Sequence, residues 1–256
     1  MEHLLGQDWE IVSAGGATGE AFLASHNGQK LFLKRNSSPF LAVLSAERIV
    51  PKLIWTKRLE NGDVITAQQW LNGRELKPVE MMSEQVVKVL KKIHSSKPLL
   101  MMLKRLGKRH NQPEMMLKKI TMNLDDEILQ YPGVKESIQF LQYELKNIYC
   151  EELVVCHGDV NHNNWLQTDN QLYLIDWDNA MIGDPAIDIG SLLYWYIPKE
   201  NWEQWLGLYG VTLTSHLKLR MKWYITVQTL YFVQWHRDKN RFDEMMNWLH
   251  FLQSIQ

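Results

Sequence analysis

The 256-residue sequence is 45% hydrophobic and 22% charged, enough for a sizeable core in one two-lobed domain or two small ones. Its formal charge of −1 excludes broad electrostatic attraction to nucleic acid, and its two cysteines, Cys150 and Cys156, make neither a disulfide framework nor a zinc site. The start, MEHLLGQDWE, lacks a basic segment followed by an apolar one, and no apolar run approaches about 18 residues, so a reducing, cytoplasmic location without membrane insertion is expected.

The chain opens with three predicted short strands, 8–13, 21–25 and 30–35. The turn after the first carries Gly15, Gly16 and Gly19. Glycines between two strands let a backbone approach phosphates closely, because they lack Cβ and tolerate positive φ. An ordinary hairpin is the plainer reading, and no Gly-Lys-Ser/Thr follows to make a P-loop. Asn27-Gly28 marks a hairpin into the third strand, which carries Lys34. A short helix is expected over 39–49, ended near Pro51, with Glu47 on it. Strands over 52–58 and 64–70 follow, joined through Asn61-Gly62, and run into Gln69-Trp70-Leu71-Asn72-Gly73.

From Pro78 the period changes. Val79, Met82, Val86, Val89, Leu90 and Ile93 recur at helical spacing and predict one helix ending in His94. His94 has no partner at metal-ligand spacing and is read as a structural, hydrogen-bonded histidine. Residues 99–123 are basic and rich in methionine, read as a solvated face over a Met-containing core, with a patch for a phosphorylated or nucleic-acid partner as the alternative. A long helix is expected over 134–149.

Residues 153–178, LVVCHGDVNHNNWLQTDNQLYLIDWD, concentrate the chemistry. One apolar run delivers His157-Gly158-Asp159, and Asn164 follows five residues after Asp159. A second run delivers Asp176, with Asp178 two residues on. Phosphoryl transfer needs such a set: one carboxylate to orient and deprotonate a hydroxyl, and a carboxylate with an amide oxygen to hold Mg²⁺ on nucleotide phosphates. A lone HxD is weak, and an Asp closing a strand is ordinarily a turn residue. The combination is far more specific. Beyond Asp188 the pattern is helical over 187–196, 202–208, 216–235 and 242–252, with seven of the eleven tryptophans at or after Trp177. Packing is the plainer reading of these aromatics, and a cage for a quaternary ammonium the sharper one.

His157-Gly158-Asp159 with Asn164, Ile175-Asp176-Trp177-Asp178, and Asp184-Pro185-Ala186-Ile187-Asp188 resemble the aminoglycoside phosphotransferase/choline kinase family. The resemblance implies an α+β, bilobal, protein-kinase-like fold: a β-rich nucleotide-binding lobe over 1–70 and a helical lobe over 71–256. It implies Asp159 as catalytic base, Asn164 and Asp176 as Mg²⁺ ligands, Asp178 as a further metal-site or supporting carboxylate, and Asp188 as a brace of the catalytic loop. ATP would lie beneath Gly15, Gly16 and Gly19. Lys34 would meet its phosphates with Glu47 as ion-pair partner, and its adenine would sit near Gln69, Trp70 and Leu71. Asn161-His162-Asn163 departs from the family's His-Pro-Gly, and no role is carried onto it. A protein kinase fits less well, since Asp176 is not followed by Phe-Gly and only five residues separate Asp178 from Asp184.

Residues 31–39, 51–55 and 69–73, with the two motif loops, are similar to the CcrZ/YtmP group of Firmicutes. That similarity implies phosphorylation of a ribose-like sugar or nucleoside and a part in cell-cycle control of DNA replication initiation. A choline or aminoglycoside kinase, and a kinase-shaped scaffold binding a replication-initiation protein, stand as alternatives.

Overall fold

The computed structural model describes residue 5, residues 8–15 and residues 20–256. Five antiparallel strands form the N-terminal sheet: β1 (Glu10–Gly15), β2 (Ala21–His26), β3 (Gln29–Arg35), β4 (Leu53–Arg58) and β5 (Val64–Gln69), in the order β1-β2-β3-β5-β4. Asn27 and Gly28 both take positive φ, 46° and 80°, which gives the β2–β3 hairpin a turn whose twist matches its strands. The β4–β5 turn is longer; the Leu59 amide donates to Asp63 O at 2.7 Å. Strand alternation sorts the sheet's faces. Leu31, Leu33, Ile65 and Ala67 pack with Ala24 into a small core on one face. Lys34 and Thr66, paired across β3 and β5, point from the other, toward the second lobe.

Helix α1 (Phe40–Ala46) is shorter than the sequence pattern predicts. Its Phe40 and Leu44, with Ile49 and Val50, are buried in the larger C-terminal core rather than in the sheet's own. After the linker come β6 (Arg74–Glu75) and a 3₁₀ segment, Pro78–Met82, then α2 (Glu84–Ser95). The single helix expected from Pro78 thus breaks at Ser83, whose extended ψ of 149° starts α2 afresh. Val79 and Met82 are exposed and Met81 is buried in their place.

Helices α3 (Lys97–Arg105) and α4 (Pro113–Asn123) carry the basic segment. Their core side is Leu99, Leu103, Leu117 and Ile120, whereas Met101, Met115 and Met122 face solvent with the exposed Lys104, Arg105, Lys108 and Arg109. Met102 and Met116 pack against the core as expected, so the methionines divide between the two sides. α5 (Val134–Glu144) gives way to one 3₁₀ turn, Leu145–Asn147, instead of continuing to Tyr149.

Four three-residue strands frame the motifs: β7 (Val154–Cys156), β8 (Trp165–Gln167), β9 (Leu172–Leu174) and β10 (Met181–Gly183). β7 pairs with β10, and β8 lies between β6 and β9. The lobe closes with α6 (Ala186–Tyr196), α7 (Trp202–Tyr209), α8 (Ser215–Asp238) and α9 (Phe242–Ser254). The 24-residue α8 is the central post, packed by α4, α5, α6 and α9. Its Trp223 is fully buried and donates its indole N–H to Leu141 O at 2.9 Å, which satisfies the one polar atom of a large core side chain. Among the described residues no helix is long and apolar enough to cross a membrane.

Candidate active site

The loop after β7 carries Asp159, and the turn after β9 carries Asp176. Two hydrogen bonds join the two segments, and others within the Asp159 loop stiffen it into one unit. The Ile175 amide donates to Asn164 O at 2.8 Å. His157 Nε2 donates to Ile175 O at 2.9 Å, and its Nδ1 accepts the Asp159 amide at 3.3 Å, which fixes the imidazole tautomer. Asn164 Nδ2 donates to both Asp159 O (2.9 Å) and Asp159 Oδ2 (3.1 Å). The carboxylate of Asp159 is thereby aimed by a side chain five residues on, while it stays half-buried at the cleft.

Asp188 supports this unit from below. It is 1% exposed, and its two oxygens accept the amides of His157 (2.8 Å) and Gly158 (2.9 Å). Burial works against its ionisation. The hydrogen bond from His94, the two neighbouring histidines and the Gly158 amide outweigh that and hold the carboxyl below its ordinary value. His94 is held in turn between Asp188 (Nε2, 3.1 Å) and the Tyr209 hydroxyl (Nδ1, 2.7 Å). His94, Cys156 and Asp188 also form a cluster compact enough to hold a metal ion. Their polar atoms are already engaged with one another, with Tyr209, with Asp184 O and with the loop amides, so the cluster is a brace. Gly158 takes φ +78°, and a Cβ there would lie 2.7 Å from Met181 Cε and 3.0 Å from Asn179 O, so glycine is required at this bend.

Asp176 adopts left-handed backbone, φ 61° and ψ 68°, unusual for a residue with a side chain. Its carboxylate and that of Asp178 are exposed, and Lys34 reaches them across the cleft from β3. Lys34 Nζ lies 2.9 Å from Asp178 Oδ2 and 3.6 Å from Asp176 Oδ1. The expected Lys34–Glu47 pair is not formed. Glu47 falls one residue beyond α1, at its C-cap, and its backbone oxygen accepts a hydrogen bond from Lys92. The lysine's acidic partners are instead some 140 residues away in sequence.

Gly15 ends β1, whereas Gly16 and Gly19 lie outside the described residues. In the linker the amides of Gln69 and Trp70 are committed to the sheet, donating to Lys52 O (2.8 Å) and Lys30 O (3.4 Å). A cavity of about 600 Å³ opens beside Gln69, Trp70 and Leu71, lined also by Lys30, Leu31, Lys52 and Ile54. Leu31 and Gln69, paired across β3 and β5, sit on the sheet face opposite Lys34, so this cavity borders the linker rather than the phosphate end.

The described donors suit a hard divalent cation: two exposed carboxylates, and the Asn164 amide oxygen left over once its nitrogen is bound to Asp159. The residue that sequence reasoning passed over is Tyr196, at the end of α6. Its hydroxyl meets both His162 N and His162 Nδ1 at 3.1 Å. A tyrosine at the last residue of a largely apolar helix was the available signal. Beyond it, Trp195, Phe232 and Trp248 form an aromatic cluster, with Phe232 stacked on Trp248 at 4.7 Å between centroids and Trp195 tilted or edge-on to both.

Comparison with known proteins fits this geometry. The model of the phosphotransferase enzyme family matches residues 10–224. The chain belongs to that family. Its fold is that of solved kinases. Choline kinase LicA from Streptococcus pneumoniae superposes with a TM-score of 0.69 at 18% identity, over 99% of this chain and 96% of that one. A choline/ethanolamine kinase family protein from Mesorhizobium loti gives 0.73 at 14% identity, over 100% and 90%. A spectinomycin phosphotransferase, in complex with ADP and spectinomycin, gives 0.72 at 14%, over 96% and 92%.

Proposed function

We propose that this phosphotransferase moves the γ-phosphoryl group of Mg²⁺-ATP to a hydroxyl of a small molecule, with a ribose-like sugar or nucleoside as acceptor. The observation that carries the reading is the Asp159–Asn164–Ile175 linkage, which holds a base and a metal-binding carboxylate on one rigid unit opposite Lys34. Asp159 orients the acceptor hydroxyl and takes its proton as the oxygen attacks in line. Asn164 Oδ1 and Asp176 would hold Mg²⁺, with Asp178 supporting; the ion neutralises charge on the phosphate oxygens when bound. Lys34, paired with Asp178 across the cleft, would meet the phosphates. Leu71, which follows two residues whose amides are committed to the sheet, contributes the adenine contact. Neighbours crystallised with AMP and ADP support ATP as donor.

Choline is the second reading. The choline kinases among the structural neighbours favour it, as does the Trp195–Phe232–Trp248 cluster, whose faces could hold a quaternary ammonium. The deciding experiment measures ADP release from Mg²⁺-ATP against ribose, 2-deoxyribose, nucleosides, choline and an aminoglycoside, with Asp159→Asn beside the wild type. Stimulation by a sugar or nucleoside, lost in the variant, supports the first reading, and stimulation by choline alone replaces it. A part in replication initiation follows only from likeness to the CcrZ/YtmP group. An unchanged origin-to-terminus ratio in cells carrying Asp159→Asn would remove a catalytic contribution to that role.

A further inference from the structure

Helix α6 grips the catalytic loop at two places. In its first turn Asp188 accepts the amides of His157 and Gly158. At its last residue the Tyr196 hydroxyl accepts the His162 amide and donates to His162 Nδ1, both at 3.1 Å, and the two rings meet edge to face at 5.7 Å. Eight residues of helix, about 12 Å at 1.5 Å per residue, separate the grips, and Asp159 lies on the stretch of loop between them. Both hydrogen-bonding capacities of the phenol are thus used, one on loop backbone and one on the side chain of the same residue. Burial raises the Tyr196 phenol above its ordinary value and the charge of Asp159 adds to this, so the group stays a neutral hydroxyl, able to donate and accept at once.

We infer that Tyr196 is a positioning residue: acting through His162, it fixes the far end of the catalytic loop and so sets where Asp159 stands. Before Asp159 the loop is held by Asp188 and by the His157–Ile175 bond, and after it by Asn164 and by Trp165 Nε1 on Val160 O at 3.2 Å; His162, between these ties, is held from the helix by Tyr196. The kinetic consequence rests on the phosphotransferase reading; the anchoring does not.

Two measurements on the full-length chain test it. Tyr196→Phe keeps the ring and its edge contact and removes only the hydroxyl. First, amide hydrogen exchange over 157–164 is compared in the two proteins: exchange at His162 is expected to quicken at least tenfold in the variant, whereas equal rates overturn the anchor. Second, kcat is expected to fall about tenfold with the KM for Mg²⁺-ATP within twofold, as small misplacements of a reacting group cost rate rather than binding. In an Asp159→Asn background the same change is expected to cost nothing further. An unchanged kcat in Tyr196→Phe, or the full loss repeated in that background, overturns the link to Asp159. Should the wild type transfer phosphate to no acceptor, the functional reading fails, and exchange at His162 alone decides the anchor.

Discussion

Lys34 spans the two lobes through a single ammonium group. Its bond to Asp178 is between groups 26% and 70% exposed, so it adds little to stability and is broken readily when a better ligand arrives. Lys34→Ala is therefore expected to shift the melting midpoint by no more than about 2 °C, yet to raise the KM for Mg²⁺-ATP at least tenfold. Glu47→Ala is expected to leave that KM within twofold, since no contact ties Glu47 to the ammonium. A tenfold rise in the Glu47 variant would restore the pairing read from sequence. The grouping of His157, Asp159 and Asn164 was legible because their spacing is local. The partner of Lys34 was not, because nothing in a strand lysine records which carboxylate, more than a hundred residues later, will face it. The role of Asp188 was half legible: its place after Asp184-Pro185 announced a brace, but not the two amides that it holds.

Among elements, α6 does most to position the site, and its packing is tight. A Cβ on Gly190 would come within 3.2 Å of Met221 O on α8 and 3.3 Å of Met221 Cα, contacts that backbone cannot relieve without separating the helices. Gly190→Ala is expected to cost about 1–3 kcal/mol, read as a lowered midpoint in denaturant, and to reduce kcat as the helix carries Asp188 and Tyr196 with it. Long periodic segments such as α6, α8 and α9 were readable from spacing alone. Of the three-residue strands, β7 and β9 showed as apolar runs, but β8 and β10 did not, since they are too short to show alternation and are defined by the partners they find. The break at Ser83 shows the opposite failure. Val79 and Met82 fit a helical period by chance, while Pro78 and a serine just before Glu84 already carried the chemistry of two separate starts.

For the whole molecule, the buried carboxylate of Asp188 ties folding to pH. Its folded value lies below the ordinary one, so its stabilisation is complete above about pH 4 and is lost as pH falls through the folded value. Wild-type protein is expected to lose stability more steeply below that pH than Asp188→Asn, in urea titrations run between pH 2.5 and 6. Equal slopes would exclude this carboxyl as a source of acid sensitivity. Nucleotide binding adds a second linkage. Mg²⁺-ATP at 100 times its Kd is expected to stabilise the fold by about 2.7 kcal/mol, an upward shift of roughly 5–10 °C for a chain of this size, and Asp176→Ala should abolish it. The left-handed backbone at Asp176 bears on how such a protein would respond to selection for heat resistance. Glycine would relieve the crowding that a side chain suffers there, and Asp176→Gly is expected to be as stable as the wild type or better by up to about 1 kcal/mol. Laboratory evolution scored on survival of heating alone would drift toward that change and yield a hardier, silent protein, so a carboxylate at this bend persists only under a screen that demands turnover.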